Sequence, residues 1–192
     1  MGATAVHWPV PPPTGFSVDD LLTARDLPRR AELLDASLVF SCPPRAFHSI
    51  TVDLLVAGLR DTAPEEFRVR REMTVVLDRH NGPAPDIVVV RPQAATGPDL
   101  MSYEVKDVLL AVEVVSPDSA SRDRTTKPHK YAAAGIEHFW RVEEEPAGRP
   151  VVHVYELDPV TRGYVHSGRH RRLLEVAEPW PVRIDLARIG CL

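Results

Sequence analysis

The sequence predicts an α/β sandwich on a mixed sheet, its central elements in the order helix, three strands, helix, strand. Three observations carry this. FHSITVDLLVAGLRD (47–61) places Ile50, Leu54, Leu55, Ala57 and Leu59 near helical spacing. PDIVVV (85–90) and VLLAVEVV (108–115) are unbroken apolar runs of strand length, the mark of strands covered on both faces. A helical segment separates the second run from a further strand pattern, so those two strands should be parallel and their crossover right-handed.

Along the chain, residues 1–16 hold the run PVPPP and should be extended and flexible, leaving 17–192 as a single domain. SVDDLL (17–22) starts a short helix, with Ser17 as N-cap and acids in the first turn. AELLDASLVFS (31–41) reads as a β-hairpin about Asp35 and Ala36. After the long helix, RVRREMTVVL (68–77) is one strand and NGPAP (81–85) a turn. The first apolar run follows, then QAATGPDLMSYEVKD (93–107) as a loop, then the second run. In KPHKYAAAG, Pro128 is tolerable only in a first turn, so the helix should start at 125–127, and Gly135 suits its C-terminal end. IEHFWRV (136–142) is the fourth core strand. PVVHVYEL (150–157) and GYVHS (163–167) form a further hairpin, and WPVRIDLARI closes the chain as a short packed segment.

The bulk numbers bound the function. A chain of 192 residues with 44% apolar and 26% charged residues can bury a sizeable core. No stretch approaches the ~18 apolar residues that cross a bilayer, and the N-terminus lacks the basic and apolar regions of a secretory leader. Two cysteines without a CxxC spacing point to a reduced, cytoplasmic protein with no cysteine-held metal. The net charge of −4 argues against an indiscriminate nucleic-acid coat, but leaves room for a nuclease with a local basic surface.

The chemistry concentrates at 85–140. If 86–91 and 108–115 pair antiparallel, Asp86 and Glu113 lie close together across one ladder. Two such carboxylates can hold Mg²⁺, with Mn²⁺ as a substitute. Lys127, at the start of the second helix, can orient or deprotonate a water, or stabilise the transition state of phosphodiester hydrolysis. Tyr131 is one turn further on the same face and would support Lys127. The plainer readings are a strand-end carboxylate for Asp86, an arginine ion pair for Glu113 and a surface lysine for Lys127. A carboxylate inside LLAV-E-VV is expensive without a cation, metal or hydrogen-bond donor, which favours a site. Asp123 would cap the helix or hold Lys127, with capping preferred; Lys130 should face solvent. A literal acid-x-lysine pattern, Glu104 and Lys106, falls at the far end of the hairpin, about 17 Å from Asp86, and is set aside as exposed loop. There is no HExxH, P-loop or GxSxG, and RHRR (169–172) is a solvated turn or a phosphate contact.

At PDIVVV and VEVVSPDSASRDRTTKPHKYAAAGIEHFWRV the chain resembles the Uma-two family, a branch of the PD-(D/E)XK nuclease superfamily. The resemblance extends from about residue 17 to the C-terminus and includes the early hairpin and His48. It implies a restriction-endonuclease-like αβββαβ core with extra N- and C-terminal hairpins. It also implies Asp86 and Glu113 as metal-binding acids, and Lys127 as the catalytic lysine moved from the strand to the helix, since Val115 stands at the usual position. Glu32 matches an acid of the family hairpin and should approach the site. The chain departs from the pattern at Ala31, where an aromatic is usual, and at Ala36, where glycine is. The expected partner is nucleic acid, foremost DNA, cut by a homodimer and not at a membrane. The rival expectations are a catalytically silent nucleic-acid-binding or regulatory protein on the same fold, and an interaction module with a merely structural Glu113.

Overall fold

A computed structural model describes residues 9–191 other than 25, 26, 29 and 95; the expectation of a flexible segment over residues 1–8 lies outside them. The helix α1 (Val18–Thr23) is capped as its sequence predicts. The Ser17 side chain accepts from the Asp20 amide, and the Asp20 carboxylate accepts from the Ser17 amide. The hairpin β1 (Ala31–Leu34) and β2 (Ser37–Phe40) turns at Asp35 and Ala36, with φ of 49° and 59°. Both central residues are left-handed, as a two-residue primed turn requires, although neither is glycine. The turn is held from outside: the Asp35 amide donates to Asn81 Oδ1 at 3.0 Å and the Ala36 amide to the His80 carbonyl at 3.0 Å. Gly15 passes so close that an added Cβ would sit 2.5 Å from that of Ala36.

The long helix α2 (Ala46–Thr62) packs on one face of a six-stranded mixed sheet. The strand expected over 68–77 is two strands, β3 (Arg68–Arg71) and β4 (Thr74–Val76), because Glu72 takes φ 52° and turns the chain out of the main sheet. The expected loop 93–107 holds the partner of β4. This is β6 (Ser102–Glu104), parallel to it and followed by a 3-10 turn at Val105–Asp107. Between them runs β5 (Ile87–Val90), antiparallel to β7 (Val108–Val114). After β7 a π-helical turn (Arg122–Thr126) leads into α3 (Lys127–Ala134), which ends on Gly135 at φ 92°. The next strand, β8 (His138–Glu145), is parallel to β7. β9 (Arg149–Asp158) and β10 (Gly163–His170) complete the order β10-β9-β8-β7-β5-β3. A separate antiparallel pair, β11 (Leu173–Val176) and β12 (Val182–Asp185), and a 3-10 segment (Leu186–Cys191) cover the α2 side. The sequence reading lacks β11: its four residues are too short to reveal a period.

The central strands are buried on both faces, as their apolar runs require. Ile87, Val89, Leu110 and Val112 join Leu55 and Leu59 of α2 in one core layer. Val88, Val90 and Ala111 join Tyr131, Ile136 and Phe139 in the other. Period-two alternation therefore decides which side chains face α3, and Asp86 and Glu113 fall on that face.

Candidate functional site

The register Ile87↔Val112 sets Asp86 across from Glu113 at the end of the β5–β7 ladder. The Asp86 side chain is fixed there: Oδ2 accepts from the Val114 amide at 2.7 Å, and Oδ1 lies 2.9 Å from His48 Nε2 and 3.5 Å from Arg30. Glu113 accepts from the Tyr131 hydroxyl at 2.6 Å and lies 3.1 Å from Lys127 Nζ. The partner of Glu113 is thus Lys127, in place of the arginine that the structural reading required. α3 delivers both donors from one face, since residues 127 and 131 are one helical turn apart.

Lys127 is buried, with 4% of its surface exposed. It donates to Glu32 at 2.8 Å and faces Asp123 Oδ1 at 3.5 Å. Glu32 also accepts from the Ala84 amide at 3.0 Å, so the N-terminal hairpin is tied to the site by a side chain as well as by its turn. Asp123 corrects the sequence reading. It sits inside the π-helical turn and faces Lys127 from i−4, while its other oxygen accepts a hydrogen bond from the Ser119 hydroxyl. Capping would have required its carboxylate to accept from an amide of the first turn, and neither the turn nor α3 has a side-chain cap. Lys130 is corrected too: it pairs with Asp35 of the hairpin turn at 2.5 Å and is only partly exposed. Glu104 and Lys106 are exposed, as expected.

Four buried carboxylates, Glu32, Asp86, Glu113 and Asp123, share the site with one buried ammonium, and all but Asp86 face it directly. Burial pushes the Glu113 carboxyl well up, against the pull of Lys127, and Asp123, Asp86 and Glu32 push it further. Burial likewise raises Asp123. Burial alone would lower Lys127, but Glu113, Glu32 and Asp123 outweigh it and hold the ammonium protonated far above its ordinary range. Such a site has surplus negative charge and favours uptake of a cation or a proton. The Asp123 Oδ1 atom is buried with no hydrogen bond and only the Lys127 ammonium, at 3.5 Å, as counter-charge, which points the same way.

Among the described residues no three His, Cys, Asp or Glu side chains form a metal cage. Asp86 and Glu113 could still hold Mg²⁺, because that ion is commonly held by one or two carboxylates and keeps water or phosphate oxygens as its other ligands. The acids open into a cleft of about 190 Å³, lined also by Arg30, His48, Ser119 and Lys127. Sequence reasoning missed Arg30 and the contact from His48. No local pattern marks Arg30, whereas His48 opens a helix whose N-terminal end abuts the first apolar strand. The Asp123–Lys127 pairing did have a signal, the i,i+4 spacing in DRTTK.

The family model described as "Putative restriction endonuclease", Uma2, matches residues 19–186. Among solved structures, a "putative nuclease belonging to DUF820" from Anabaena variabilis superposes with a TM-score of 0.64 at 15% sequence identity. The match covers 85% of this chain and 89% of that one. At that identity the likeness is one of fold. Comparison with curated proteins finds no match.

Proposed function

The chain belongs to the Uma2 family, and from that membership and the site geometry we propose that it is a Mg²⁺-dependent DNA endonuclease. The observation that carries the reading is the convergence of Asp86, Glu113 and Lys127, from three separate elements, on one cleft. A structural ion pair needs one carboxylate for one lysine; here acids outnumber the lysine and face an opening.

Asp86 and Glu113 would hold Mg²⁺, or Mn²⁺ in its place, which when bound neutralises phosphate charge and lowers the pKa of a water. The Val114 amide and His48 orient Asp86, and the Tyr131 hydroxyl orients Glu113. Lys127 is locked as an ammonium by Glu32, Glu113 and Asp123, so it acts as a cation and hydrogen-bond donor rather than a base. From that position its charge, and the N–H that Asp123 faces only at 3.5 Å, would stabilise a phosphate oxygen whose charge grows in the transition state. Glu32 and Asp123 are positioning residues for that ammonium.

The test is calorimetric titration of Mn²⁺ and Mg²⁺ into the wild type and Asp86→Asn, with and without a DNA duplex, followed by a cleavage assay. The asparagine can still accept from the Val114 amide, so the variant keeps its fold. Saturable binding lost in the variant, with metal-dependent cleavage, is expected. Metal-independent DNA binding without cleavage would instead indicate the catalytically silent protein. Absence of metal binding even with DNA present would overturn the metal assignment.

A further inference from the structure

The six-stranded sheet continues the row of the two acids beyond the cleft. Glu113 of β7 is in register with Arg141 of β8, Arg141 with His153 of β9, and His153 with Arg169 of β10. Side chains opposite each other on neighbouring strands share a face. One transverse row on the α3 side therefore reads Asp86, Glu113, Arg141, His153, Arg169.

A β-bulge builds the outer end of this row. The β9–β10 register shifts between His166 and Gly168, so His166 lies opposite Tyr155 while Arg169 lies opposite His153. Residues three apart on a regular strand face opposite sides; the extra residue turns His166 and Arg169 to the same side. The groups then cluster. His153 Nδ1 is 3.4 Å from His166 Nε2, the His166 ring meets Tyr155 edge-on at 5.1 Å, and the Arg141 guanidinium lies over Tyr155 at 5.4 Å. The counter-charges are few: Glu145 serves both Arg169 and Arg171, and Glu143 serves both Arg124 and Arg141. This is a local surplus of positive charge on a chain of net charge −4. Burial and the adjacent Arg141 also hold His153 below its ordinary range, so the cluster lacks an anion rather than a cation.

We propose that this strip, formed by Arg141, His153, His166 and Arg169, binds the phosphodiester backbone of the nucleic-acid strand running out of the cleft. The proposal rests on the endonuclease reading and adds to it the path of the substrate. Three interstrand steps separate Glu113 from Arg169, or about 14 Å. At about 3.4 Å per nucleotide along a strand, that places the strip's contacts within roughly four nucleotides of the cleft. The existing Arg–Glu pairs do not oppose this. Exposed pairs contribute only about 0–1 kcal/mol, so a phosphate can displace Glu145 at little cost. A metal ion on the histidine pair is disfavoured by the flanking arginines.

The experiment is fluorescence anisotropy of a labelled short DNA duplex, with an RNA duplex alongside, in EDTA so that nothing is cut, over a salt series. The proteins are the wild type, the double variant H166Q/R169Q and Glu145→Gln. The double variant should bind several-fold more weakly, with a salt slope smaller by about 1. Glu145→Gln frees two arginines and should bind more tightly, a gain that misfolding cannot imitate. Tighter binding of RNA than DNA would keep the strip and change the substrate. Wild-type affinity and slope in both variants would overturn the strip alone. A wild type that binds neither duplex, in EDTA or with Ca²⁺ added in its place, would overturn the endonuclease reading, and the strip with it.

Discussion

Lys127→Met separates an energetically coupled charge cluster from an incidental one. Methionine has nearly the same length and apolar stem, so the change removes charge and donors while largely keeping volume. The structure sets the magnitude. Three carboxylates lie 2.8, 3.1 and 3.5 Å from the ammonium. Removing one member of a buried charge cluster costs about 3–5 kcal/mol, because the remaining charges stay buried without compensation. For a domain of this size each kcal/mol shifts the melting temperature by about 2–4 °C, so the loss should be about 6–20 °C at neutral pH. The pH dependence gives a second reading. Glu113 and Asp123 are already raised above their ordinary values of 4.5 and 3.8. Between the ordinary and the raised value the folded state holds more protons than the unfolded one, so stability falls as pH rises through that window. Without Lys127 both carboxyls rise further and the window widens. The deficit of the variant is therefore largest at neutral pH and shrinks on acidification. Thermal denaturation of both proteins across that range is the assay. A variant melting within about 2 °C of the wild type at neutral pH, or a deficit that grows on acidification, would refute the charge-cluster reasoning.

Glu113→Gln leaves Lys127 paired with Glu32 and Asp123 and relieves crowding among the acids, so it should match or exceed wild-type stability while metal-dependent cleavage falls about 10²–10³-fold or more; a melting scan beside a plasmid-cleavage assay reads both. Gly58→Ala improves helix propensity by about 1 kcal/mol, but the added Cβ would sit 2.5 Å from Ile184 Cγ1 in the core, an overpacking cost of about 1–3 kcal/mol. Denaturant titration should show net destabilisation, and a smaller one in an Ile184→Ala background, where Cγ1 and Cδ1 are gone. Lys130→Met breaks the pair with Asp35, whose side chain is 73% exposed, so stability should change by less than about 1 kcal/mol and the difference should vanish in high salt.

Much of the architecture was legible because its signals are local or periodic. The runs at 87–90 and 108–114 are apolar because both faces are covered, and the crossover through α3 follows from chain order. The split at Glu72 was not legible: no glycine or proline announces its left-handed conformation, and β4 is defined by its partner β6. The turn at Asp35 and Ala36 is similar, being imposed by the 80–82 segment docked against it.

For the candidate site, residue order alone was enough to locate the acids at the start of β5 and on β7, their common face, and a lysine one helical turn from a tyrosine. Strand and helix periods are properties of the chain, so residue types and spacing suffice for that much. The state of Lys127 was not legible in that way. Its protonation depends on Glu32, 95 residues away, and on Asp123 turned inward by a π-helical turn. The same holds for the row from Glu113 to Arg169, which exists through interstrand register and one bulge. Electrostatic energy depends on distance through space and on burial, and for residues remote in the chain both are set only by the packed fold.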